Sequence, residues 1–104
     1  MTEHLSFPCW VRLTKLDHCP DSRHSPAIAI GWSSCGWAPM PPTPGARFEI
    51  FSDRSRQRRL LSTSPVRECL SGWIFMTYNS FYLLEAEEEP AAVEELAREA
   101  ELVG

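Results

Sequence analysis

Apolar and polar residues alternate with a period of two over Cys9-Trp10-Val11-Arg12-Leu13-Thr14-Lys15-Leu16, which predicts a half-buried strand. Cys9, Val11 and Leu13 share one face of it with Lys15, while Trp10, Arg12, Thr14 and Leu16 share the other. Residues 17–26 (DHCPDSRHSP) hold two prolines among Asp and Ser turn formers, so a loop follows. The apolar run 27–32 (AIAIGW) predicts a second strand. Residues 36–45 (GWAPMPPTPG) then form a Pro-rich, extended arm, because each proline lacks the N–H that a sheet interior needs.

Residues 47–51 read as a strand with Phe48 and Ile50 on one face, and 52–59 as a polar, basic connection. The chain returns at 59–63, Pro65 predicts a bend or a crossing to another sheet edge, and 66–70 form a further short strand. Ser71-Gly72 predicts a tight turn before a strand at 73–77 with both faces apolar. Asn79-Ser80 predicts another turn into Phe81-Tyr82-Leu83-Leu84, whose consecutive apolar residues suggest a central strand covered on both sides. Beyond it, Pro90 among Glu87, Glu88 and Glu89 opens a helix favourably. Val93, Leu96, Ala97, Ala100 and Val103 recur at three- and four-residue steps, giving that helix a narrow apolar stripe.

The predicted fold is therefore mainly β, with all 104 residues in a single domain. A small, SH3-like, strongly bent antiparallel barrel spans 9–86 and includes the Pro-rich arm 36–45. A C-terminal amphipathic α-helix follows at 90–103. Trp10 and Trp73, lying in strand patterns, are assigned to the core.

A layout of Gly-x-Arg-Phe, then Thr-Ser-Pro-Val, then Thr-x-Asn-Ser-x-Tyr-x-Leu is carried by Gly45, Arg47, Phe48, Thr63, Ser64, Pro65, Val66, Thr77, Asn79, Ser80, Tyr82 and Leu84. It resembles a group of small β proteins of bacteria and their phages that have no settled activity. The resemblance covers about 40 residues and implies a small β protein of the kind often found on mobile elements. It implies no catalytic residue.

The charge is unevenly spread. Residues 1–80 carry a balance of +3 and residues 81–104 one of −7, so a mildly basic barrel is joined to a strongly acidic tail. Such a tail argues against a protein built mainly to grip phosphate backbones. The start, MTEHLSFPCW, shows neither a basic segment nor an apolar run of secretory type, and no apolar stretch reaches membrane-spanning length. A cytoplasmic location is expected, with Cys9, Cys19, Cys35 and Cys69 reduced.

Cys9, His18, Cys19, His24 and Cys35 are weak metal candidates. His18 and Cys19 are adjacent, and no cysteine pair has the two-to-four-residue spacing of structural zinc sites, so no metal or other cofactor is expected. Nucleophile elbows, zinc-protease helices and Gly-rich phosphate loops are absent from the sequence, so an enzyme is not expected. Asn79, Thr63 and Thr77 are better suited to bonding backbone at turns.

Two candidate binding surfaces remain. Arg54, Arg56, Arg58 and Arg59 crowd one connection, where 54, 56 and 58 share a face if the chain is extended. Trp32, Trp37 and Met40 flank or enter the Pro-rich arm, which either plugs an open barrel end or meets a partner. The expected function is non-enzymatic binding by a protein-interaction module of phage or mobile-element origin, with inhibition of a host defence complex as one form. The partner is a host protein or a second copy, with a homodimer formed through the C-terminal helix. The alternative is a nucleotide-sequestering protein or a nucleic-acid-binding barrel that uses the connection Arg54 to Arg59.

Overall fold

The period-two pattern at the start of the chain closes a barrel. Strand β1 (Cys9–His18) sends Val11, Leu13 and Lys15 inward, and all three are almost fully buried. In this computed structural model, which describes residues 5–20 and 28–89, five further strands follow: β2 (Ser33–Ala38), β3 (Arg47–Phe51), β4 (Arg59–Cys69), β5 (Ile74–Thr77) and β6 (Ser80–Ala86). Each pairs antiparallel with its neighbour in chain order, and β6 pairs back onto β1, so the sheet has no free edge. The β1–β6 ladder slips between Lys15 and Asp17, a bulge that tightens the local twist.

The interior is filled by Val11, Leu13, Ala38, Phe48, Ile50, Val66, Phe75, Tyr82 and Leu84, with Leu5 across one end. Burying a side chain of this size stabilises by roughly 1.5–3 kcal/mol. Phe48, Phe75 and Tyr82 form an aromatic column, with ring centroids 5.2 and 5.4 Å apart. The turn phrases act as polar pins. Thr77 Oγ1 accepts the N–H groups of Asn79 (3.2 Å) and Ser80 (3.1 Å), closing the β5–β6 hairpin. Thr63 Oγ1 accepts the Phe48 N–H at 3.0 Å, tying β4 to β3.

The second strand lies later than the apolar run predicts. Residues 28–32 form a turn, because Gly31 adopts φ +90° and bonds back to the Lys15 carbonyl at 2.9 Å. Strand β2 instead uses Ser33 to Ala38, so Gly36, Trp37 and Ala38 pair within the sheet and the arm begins only at Pro39. Gly36 is required there. A Cβ on it would lie 3.0 Å from both Ile50 Cβ and the Phe51 carbonyl oxygen.

Residues 59–69 form one continuous strand instead of two short ones. Pro65 marks the change of partner: β4 pairs with β3 up to Arg47↔Pro65 and with β5 from Val66↔Thr77 onward. The missing proline donor falls where one ladder hands over to the next, so the strand need not break. Strand β6 is covered on one side only. Ser80, Tyr82 and Leu84 are buried while Phe81 and Leu83 remain half-exposed, as a one-layer barrel requires. Trp73 lies in a single 3-10 turn (Ser71–Trp73) before β5, where it packs against the core.

The helix expected at 90–103, and with it the helix-mediated dimer, lies outside the described residues, as does His24. Among the described residues no helix is long and apolar enough to cross a membrane.

Candidate binding face on the outside of the barrel

Residues of β1 that face away from the core start this site. Trp10 and Arg12 alternate with Val11 and Leu13, so they leave β1 on the side away from the aliphatic pair, where Arg12 is exposed and Trp10 is covered by its neighbours. Trp10 is the register partner of Trp37, and Trp37 is the register partner of Phe51. Three aromatic residues therefore stand in a row across β1, β2 and β3. The Trp10 and Trp37 rings meet edge to face, with centroids 5.6 Å apart.

Arginines cap this row. The Arg54 guanidinium stands 5.0 Å from the Trp37 ring centroid. It is held there by the tight turn between β3 and β4, in which the Asp53 carboxylate accepts the Ser55 N–H (2.8 Å) and the Ser55 hydroxyl. Those two bonds pull the Asp53 carboxyl below its ordinary pKa. Arg56 adopts φ +59° in the same turn. Arg54, Arg56 and Arg58 thus do not form an extended row, because the chain turns on itself from Asp53 to Arg56.

Arg56 borders a concavity of about 180 Å³ that Pro39, Met40, Phe51 and Glu49 also line. Met40 is 65% exposed at its rim. Arg59 is paired with Glu49 at 2.8 Å. Arg58 is exposed, and its carbonyl accepts the Ser52 N–H. Trp32 is separate from this face. It packs half-buried against the core near Lys15, whose N–H donates to the Trp32 carbonyl.

An acidic strap crosses the aromatic row. After β6 the Glu87 N–H donates to the Trp10 carbonyl at 3.1 Å. Its carboxylate receives Arg12 Nε at 3.1 Å and the Cys35 thiol at 3.3 Å. Two residues on, Glu89 meets Arg54 at 3.2 Å. The Cys35 thiol, the Glu88 N–H and Arg12 together hold the Glu87 carboxyl below its ordinary pKa. Burial, reinforced by Glu87, pushes the Cys35 thiol up. Both ion pairs are substantially exposed, so each contributes only about 0.2–1 kcal/mol.

One group is left unserved. Trp10 is 9% exposed, and among the described residues its enclosed indole Nε1 has no acceptor. Buried donors of this kind nearly always find partners, ordered water among them.

Sequence reasoning selected Trp37, Met40, Arg54 and Arg56, which the fold brings to one side of the barrel. Trp10 is buried, as its strand pattern predicts; Arg12, Phe51, Glu87 and Glu89 are not among the sequence's candidates, and Cys35, a weak metal candidate, bonds to Glu87 instead. The alternation of β1 and β3 carried a usable signal, since it puts Trp10 with Arg12 and Phe51 with Glu49 on faces opposite the aliphatic residues.

The remaining candidates are scattered. Cys9 and Cys19 stand near opposite ends of β1, Cys19 buried with its thiol donating to the Thr77 carbonyl at 3.2 Å. None of the four cysteines forms a disulfide, and among the described residues no three of His, Cys, Asp and Glu converge on one point. The Pro-rich arm connects β2 to β3, with Pro42 accepting the Cys69 thiol at 3.4 Å. Pro42, Cys69, Gly72, Trp73 and Phe75 line a mostly apolar cleft of about 340 Å³ at that end of the barrel. No family model matches the chain, and comparison with curated proteins and with solved structures likewise returned no similar protein.

Proposed function

We propose that this protein acts by binding, without turnover, and that it holds an extended segment of a partner protein on the outer face of β1, β2 and β3. The observation that carries this reading is the Arg54 guanidinium standing over the Trp37 ring while it pairs with Glu89. A cation above an indole, in a row of three aromatic residues, is the composition of an interface anchor. The neighbouring concavity at Met40, Pro39 and Phe51 offers an apolar seat for one side chain of the partner. Resemblance to small phage and bacterial β proteins makes a host protein, such as a member of a defence complex, the partner class this reading favours.

Affinity capture from bacterial lysate tests it, comparing wild type with Trp37→Ala and Arg54→Ala. A partner protein retained by the wild type and lost from both variants is the expected result. Identical captures from all three would sink the proposal. Retention that disappears on nuclease treatment would assign the face to nucleic acid instead, which also predicts a steep loss of affinity with salt.

A further inference from the structure

The structure assigns the face a partner of definite chemistry, an extended acidic segment, and makes Glu87 to Glu89 its built-in competitor. This rests on the reading of the outer face as a protein-binding surface. The strap already shows what that surface accepts. One main-chain N–H bonds to the Trp10 carbonyl, one carboxylate lies between Arg12 and Cys35, and a second carboxylate two residues later lies on Arg54. Carboxylates at positions i and i+2 point to the same side of an extended chain, which suits two arginines, one presented by β1 and the other by the turn between β3 and β4.

The strap is a poor occupant by design of its contacts. Its ion pairs are substantially exposed, so each holds it only weakly. An incoming segment that repeats the two carboxylates competes with it for Arg12 and Arg54. The strap benefits from being tethered, since its effective concentration at the face is set by a short connection from Ala86. Affinity for the partner is accordingly reduced by the fraction of molecules in which the strap is seated.

The test uses the full chain and a labelled synthetic peptide of the chain's own residues 85–95 (EAEEEPAAVEE) as the probe. Wild type is compared with Glu87→Gln/Glu89→Gln, and circular dichroism verifies that the variant is folded. Loss of the competing strap is expected to raise affinity for the peptide about five- to tenfold. Adding Arg12→Ala and Arg54→Ala to the variant is expected to abolish that gain. Equal affinity of wild type and Glu87→Gln/Glu89→Gln would overturn the competitor role. Absence of peptide binding to the folded variant overturns the acidic-segment assignment, and the Trp37-dependent lysate capture then decides separately whether the face binds a protein at all. Tighter binding of a single-stranded oligonucleotide than of the peptide would overturn it as well.

Discussion

The guanidinium of Arg54 lies 5.0 Å from the centroid of the Trp37 ring and pairs with Glu89, 35 residues further along the chain. Three stretches distant in sequence therefore meet at one exposed point. A cation–π contact and an ion pair at such a site each contribute about 1 kcal/mol or less. Arg54→Ala is expected to change stability by no more than about 2 kcal/mol while removing partner capture. Urea unfolding alongside the capture assay checks this, and a stability loss several times larger would mean that the contact is structural.

Gly36 is where β2 closes against β3. A methyl group there meets Ile50 Cβ and the Phe51 carbonyl oxygen at 3.0 Å, neither of them a flexible tip. Gly36→Ala is expected to destabilise the barrel by about 1–3 kcal/mol, the range for overpacking a tight interior. Thermal unfolding measures it. Gly45→Ala is a useful contrast, since no atom lies within 4 Å of its added Cβ and any cost there comes from its φ of +91°.

Thr77 and Ser64 make opposite predictions despite similar hydroxyls. Thr77→Val keeps the shape but removes the side-chain acceptor of the Asn79 and Ser80 N–H groups, the second of them buried. A cost of about 1–3 kcal/mol is expected. The Ser64 hydroxyl is enclosed and has no hydrogen-bond partner among the described residues, so Ser64→Ala is expected to be neutral or slightly stabilising. Denaturant midpoints of the two variants against wild type decide the matter.

Lys15 lies inside the barrel at 1% exposure, with Nζ donating to the Ile28 carbonyl at 2.7 Å. Burial pulls its ammonium below the ordinary lysine pKa, partly opposed by Cys19 and Asp17. The unfolded chain holds that proton up to about 10.5, whereas the folded chain releases it earlier. Between the two pKa values the unfolded state binds more protons, so this group's contribution to stability rises with pH through that window. Below the folded pKa its full cost remains. Lys15→Met is expected to compare better with wild type at neutral pH than at pH values approaching 10.5. Chemical unfolding of both proteins across that range checks the trend, and a constant difference would refute it.

Most of the barrel was legible locally. The alternation at Cys9 to Leu16 gave β1 and put Lys15 on the buried face. The turn residues at Gly72 and Asn79 bounded β5. Thr63 and Thr77 bond backbone as their side-chain chemistry suggests. Each of these is decided within a few residues, by strand period, φ preference or a short side-chain reach. The placement of β2 was not legible, because Ser33, Ser34 and Gly36 have weak strand preference and are recruited only by the ladder with β1.

The candidate site divides in the same way. Composition alone determined that arginines crowd the connection after β3, that Trp37 and Met40 stand beside a Pro-rich arm, and that the chain turns acidic after β6. Only the closed barrel decided that Trp10, Trp37 and Phe51 form one row, that Arg54 caps it, and that Glu87 and Glu89 lie across it. Register and closure are long-range properties, fixed by pairing between β1 and β6 and by the close approach of Gly36 to Ile50. A local pattern tells a residue which side of its strand to face, whereas the neighbours it meets there are chosen by the whole sheet.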